Sequence, residues 1–119
     1  MRKAYRVKSE KDFQKVFHDG ISKANRQFVI YTLPKKGQKH FRVGISVGTR
    51  LGIAVVRNKI KRRIRHALTE LDKEYTFVHE LDFIVIARKP VNQMAYDEIK
   101  KSLLHVLTLS NVISRKNNE

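Results

Sequence analysis

The chain has no cysteine and no tryptophan, only two prolines and five glycines in 119 residues, and 11 acidic residues against 26 lysines and arginines. Without cysteine there is no disulfide and no thiolate metal site, which permits an intracellular location. No apolar run approaches the length of a transmembrane helix. The basic start, Met1 to Glu10, has no apolar stretch behind it and does not read as a secretory signal. The expected location is the cytoplasm, away from membranes. The scarcest feature is negative charge in the middle of the chain. From Gly20 to Thr69 there is no Asp or Glu, yet 13 of the 26 Lys and Arg lie there. Nearly all of the formal net charge of +15 therefore sits in one block. Such an excess points to nucleic acid or another polyanion.

At the centre of that block is a helix. Val56, Ile60, Ile64, Ala67, Leu68 and Leu71 recur at helical spacing and share one arc. Asn58, Lys61, Arg62 and Arg65 project opposite, with Arg57, Lys59 and Arg63 beside them. Like charges at i, i+3 and i+4 repel by a few tenths of a kcal/mol per pair. Cations are also disfavoured in a first helical turn. A solvated face normally mixes signs, so this one is arranged for a polyanion.

Around it the chain divides readily. Ser9 caps a first helix over about 10–19, with Phe13, Val16 and Phe17 on one side and Gly20 as a stop. Residues 26–33 and 40–47 read as strands, separated by the turn Pro34 to Gly37, and pair as an antiparallel hairpin. Gly48 to Gly52 is a basic loop or very short strand. The central helix ends near residues 73–75. Phe83 to Ala87 is a strand buried on both faces, closed by Pro90. A last helix spans about 95–109, poorly capped, with Asn92 the nearest capping candidate. The expected architecture is α+β, an αβββαβα sandwich with a mixed four-stranded sheet. It forms a single domain over 1–119, with 1–8 and 110–119 flexible. The strand–central helix–strand unit is a crossover, right-handed by default.

The residues show no catalytic constellation of their own, and a two-His, metal-independent ribonuclease is the enzymatic alternative. His18, His40, His66, His79 and His105 form no metal-ligand spacing, and the carboxylates do not converge. His66 is expected beside a phosphate. A ribosomal structural protein and a helix-turn-helix DNA binder are the rival readings. The second needs two helices joined by a tight turn, whereas strands flank this basic helix.

The string Arg57-Asn58-x-x-Lys61-Arg62-x-x-Arg65 resembles the signature of the bacterial ribonuclease P protein subunit. So do Phe13 and Phe17, the run Ala24 to Tyr31, Arg42-Val-Gly44-Ile-Ser46-Val47, and Ile84 to Pro90. The resemblance covers about residues 5–107. It departs at three places: Gly48-Thr49-Arg50 lacks one basic residue, Lys59 stands for arginine, and Ile53 stands where a polar residue opens the central helix. The resemblance implies the fold of ribosomal protein S5 domain 2, with a left-handed βαβ crossover in place of the default hand. It also implies that the RNA subunit holds Mg²⁺ and hydrolyses the phosphodiester. The protein then binds that RNA and the 5′ leader of precursor tRNA, needs no protein partner, and contributes no catalytic residue and no metal ligand. Two surfaces follow. Arg57, Asn58, Lys59, Lys61, Arg62, Arg63 and Arg65 would meet the catalytic RNA. A cleft of Phe13, Phe17 and Tyr31, with Lys8, Lys11, Arg26, Arg42, Ser46 and Arg50, would take the leader. For Phe13 and Phe17 the competing expectation is burial in the core, with stacking on bases left to Tyr31.

Overall fold

A computed structural model describes residues 3–114. Helix α1 (Glu10–Asp19) starts where the Ser9 hydroxyl accepts the Asp12 N–H at 3.1 Å. It ends where the Gly20 N–H reaches the Val16 carbonyl. Strands β1 (Ile21–Ala24), β2 (Phe28–Pro34) and β3 (Arg42–Val47) follow. A 3₁₀ turn over Thr49–Leu51 leads through Gly52 into helix α2 (Ala54–Glu74). Gly52 has φ of +140°, a conformation that a side chain would strain. Strands β4 (Thr76–Phe77) and β5 (Leu81–Ala87), helix α3 (Tyr96–Leu109) and strand β6 (Ile113–Ser114) complete the described chain.

The four-stranded sheet has the order β1-β2-β5-β3. β2 runs antiparallel to both β1 and β5, and β3 runs parallel to β5. The sheet is thus mixed, and β3–α2–β5 is the expected parallel crossover. The expected hairpin between β2 and β3 does not form, because β5 lies between them. An all-apolar strand needs a neighbour on each edge and a layer on each face. The Pro34–Phe41 connection passes over the end of β5, where the Lys35 N–H reaches the Glu80 carbonyl. The third strand before α2 is β1, paired residue for residue with β2; the segment expected as a short strand is the Thr49–Leu51 turn.

The two faces of the sheet differ. Phe28, Ile30, Val43, Phe83 and Val85 face α2 and α3 and join Ile60, Ile64, Leu68, Leu103 and Leu107 in the main core. The six residues of the central stripe behave as their spacing predicts: five are buried and Val56 packs against the core. On the other face α1 packs across β2 and β5, with Val16 and Ile84 fully buried.

Two terminal segments expected to be flexible are docked. Arg6 bridges to Val43, Val7 is buried with its N–H on the Val43 carbonyl at 3.0 Å, and Tyr5 stacks on His40. Ser110, Val112 and Ile113 are buried, and β6 pairs with β4. In both cases apolar side chains too sparse to show a period fill gaps at the rim of the core. Residues 1–2 and 115–119 lie outside the described residues. The cap of α3 also differs from expectation. Asn92 plays no part, and the Glu98 carboxylate accepts the Ala95 N–H at 2.9 Å instead.

Candidate nucleic-acid interface

In the sheet order β3 is an edge, and a groove runs beside it between α1 and α2. Its volume is about 310 Å³, and Glu10, Phe13, Phe17, Ile45, Ser46, Val47 and Lys61 line it. A second recess of about 110 Å³, lined by Arg6, Val7, Phe13, Val43, Gly44, Ile45 and Arg65, continues along the same strand. Ile45 and Phe13 border both.

Phe13 and Phe17 stand half-buried while Val16, between them in sequence, is completely buried. The docking of α1 therefore falls on Val16, and the two phenyl rings line the groove. Phe13 lies over Gly44, where an added Cβ would come 2.5 Å from the ring. Phe17 meets the half-buried Tyr31 edge-on at 5.0 Å between centroids, and Phe13 at 6.5 Å. Three aromatic rings in series, with a lysine across the groove, match the chemistry of a single-strand stacking platform.

The wall formed by α2 joins what the sequence reading had kept apart. Lys61 lines the aromatic groove and Arg65 the recess beside it, although both were assigned to the face for the RNA subunit. Asn58, Lys59 and Arg62 are exposed, Arg63 is half-buried, and Arg57 is half-buried with Nε donating to the Gly52 carbonyl at 3.1 Å. None of these seven residues makes an ion pair among the described residues. The Arg65 pKa is lowered, first by burial and then by the charge of Arg6. Arg6 Nε is itself buried without a hydrogen-bond partner. Two guanidinium groups held together around an open recess make a seat for an anion.

The remaining expected cleft residues separate. Ser46 lies in the groove. Lys8 and Lys11 are exposed around the start of α1, and Arg50 is exposed on the turn before α2. Arg26 is exposed on the connection between β1 and β2, toward the opposite edge of the sheet from β3. Arg42 is engaged elsewhere. It donates from Nε and a terminal nitrogen to Asp82 at 2.9 and 2.6 Å, and Asp82 is fully buried. His66 follows Arg62 and Arg63 by one turn of α2, with Nε2 3.8 Å from Glu70 and its ring 5.1 Å from that of Tyr96.

Sequence reasoning missed Arg6, Glu10, Gly44 and Asp82. A glycine amid β-branched residues was a usable signal for a close approach. The unpatterned N-terminus gave none for Arg6. As for a metal, among the described residues no three of His, Asp or Glu converge on a point that could hold an ion. The groove offers cations and rings instead, with Glu10, which accepts a hydrogen bond from Gln14, its single carboxylate.

An α+β sandwich with an aromatic groove bordered by cations has the chemistry of a nucleic-acid-binding protein. Comparison with known proteins makes this specific. The family model described as Ribonuclease P matches residues 1–110. The ribonuclease P protein component of Lactobacillus gasseri is 57% identical over 120 residues, covering 100% of this chain and 97% of that protein. The Staphylococcus aureus RNase P protein structure, 47% identical, superposes with a TM-score of 0.84 over 94% of this chain and 100% of that one. The Thermotoga maritima protein, 27% identical, gives 0.78 over 87% and 96%. The chain belongs to the ribonuclease P protein family, whose members act with the ribonuclease P RNA in 5′ maturation of tRNA.

Proposed function

We propose that the groove beside β3 binds the single-stranded 5′ leader of precursor tRNA while the outer face of α2 docks the catalytic RNA. The observation that carries this is the half-buried pair Phe13 and Phe17 lining one groove with Lys61, with Tyr31 edge-on to Phe17 behind it. Bases stack on the rings. Lys61 neutralises the backbone, and Arg6 with Arg65 seats one phosphate at the inner end of the groove. Asn58, Lys59, Arg62 and Arg63 point outward to the phosphates of the folded RNA, with Arg57 and Arg50 at the start of the helix. Lys8, Lys11 and Arg26 add to the attractive field without lining the groove. The Mg²⁺ ions of the reaction are held by the RNA. The protein brings substrate and RNA together in the cytoplasm and supplies no general acid or base.

The test uses the reconstituted holoenzyme. Phe17→Ala should weaken precursor tRNA binding by about 1–3 kcal/mol, the value of one base–aromatic stack, and leave mature tRNA unaffected. Equal weakening toward both RNAs with a large fall in Tm would place Phe17 in the core role. A Staphylococcus aureus relative has been solved as a mutant with defective mRNA degradation activity. The free protein is therefore assayed on single-stranded RNA alongside; cleavage without the RNA subunit would overturn the accessory reading.

A further inference from the structure

Arg42 stands where α1, β3 and β5 meet. One edge of its guanidinium is held by the two oxygens of Asp82, which is 0% exposed at the start of β5. Its remaining terminal nitrogen is 3.6 Å from Asp12 Oδ2, in the first turn of α1. The Arg42 pKa is raised, mainly by the hydrogen bond to Asp82, against the opposing effect of burial. The next residue after Asp12 is Phe13, whose ring covers the bare backbone of Gly44. The N-terminal turn of α1 is thus tied to the sheet by an ion bridge on one side and by a ring against glycine on the other. Both groove-lining phenyl rings hang from this helix.

The charge balance is informative. Two carboxylates around one guanidinium leave a net −1 close to a groove that receives a polyanion. By long-range electrostatics alone that arrangement opposes binding.

We propose that the Asp82–Arg42–Asp12 bridge is a positioning device for the leader groove. It sets the angle at which α1 crosses the sheet, and hence the separation between Phe13 and Phe17 on one wall and Lys61 on the other. Arg42 is a positioning residue and not a phosphate contact. The inference rests on the groove reading given above.

Asp12→Asn in the holoenzyme separates the possibilities by sign. Removing a negative charge beside the groove should tighten precursor binding if electrostatics alone operates. The bridge requires the opposite: precursor affinity falls about three- to tenfold, a coupling typical of residues in contact. Mature tRNA affinity stays unchanged, and Tm holds within a few degrees because Asp12 is one-third exposed. Phe17→Ala should then cost less in the Asp12→Asn background than in the parent, since the displaced ring has less to lose. Unchanged or tighter precursor binding, with Phe17→Ala still costly, overturns the bridge and leaves the groove standing. Equal losses toward both tRNAs with a fallen Tm overturn it in favour of a purely structural role. If Phe17→Ala in the parent has no leader-dependent effect, the groove reading fails and the bridge with it.

Discussion

Along α2, the residues from Ala54 to Arg65 and those from His66 to Glu74 share one apolar stripe but meet different surroundings. The first half carries Arg57, Lys59, Lys61, Arg62, Arg63 and Arg65, none in an ion pair among the described residues. In the second half two of the three carboxylates, Glu70 and Glu74, are matched by α3. Glu70 accepts the Tyr96 hydroxyl and lies 3.5 Å from Lys100 Nζ, and Glu74 lies 2.8 Å from the same nitrogen. One helix thus holds charges paired with its neighbour and charges left without an ion pair among the described residues. Position along the helix divides them, since Tyr96 and Lys100 of α3 reach Glu70 and Glu74 on the later turns. The same division separates Arg42, closed by Asp82, from Arg65, open to a recess.

The division can be broken at its strongest point first. Arg42→Ala leaves the fully buried Asp82 carboxylate without its partner and should cost about 3–5 kcal/mol of folding stability, read from denaturant midpoints. Removing unpaired cations should do the reverse. Arg62→Ala should lower the magnitude of the log K against log salt slope for the RNA subunit, and Arg65→Ala that for precursor tRNA, each by roughly 0.7–0.9. The free protein should at the same time become slightly more stable, through relief of like-charge repulsion of a few tenths of a kcal/mol per pair. An unchanged slope in a folded protein would show that this face is only solvated.

A third variant addresses the uncapped beginning of the basic half. Ile53 occupies the N-cap of α2 with no side-chain hydrogen bond and is 72% exposed. Ile53→Asp supplies both a cap and a negative charge at the positive end of the helix. It should raise stability by about 1 kcal/mol, visible as an increase in Tm.

The smallest effect belongs to the paired half and shows only in acid. The Glu70 pKa is lowered, first by the Tyr96 hydroxyl and also by Lys100. A carboxylate whose folded pKa is depressed contributes stability above its unfolded pKa and loses it as pH falls through the folded value. Denaturation of the parent followed downward from pH 7 should show this loss below the ordinary Glu range of about 4.3. Glu70→Gln should flatten that limb. An identical acid limb in the variant would remove Glu70 from the paired class.

Much of this was legible in the residues. The stripe from Val56 to Leu71 placed α2 on its correct side, because a helical period survives any tertiary arrangement. Ser9, Phe13, Val16 and Phe17 outlined α1, and the unbroken run from Phe83 identified a strand with two covered faces. What misled was locality. β2 and β3 are neighbours in sequence with a turn between them, and nothing in either states that β5 will come between them. Cleft residues were selected by type, so Arg42 and Arg26 were grouped with Phe17. Only the sheet order separates Arg26 toward the opposite edge and gives Arg42 to Asp82.

Composition and period by themselves pointed to an α+β binder of a polyanion, with six of its 26 cations clustered on one helix. These properties follow from local spacing and from the sum of charges. Strand order, the docking of residues 3–8, the burial of Asp82 and the joining of Lys61 to the aromatic rings were decided by the tertiary structure. Each depends on which distant segments pack together, and packing is a property of the closed core that no local window of the chain contains.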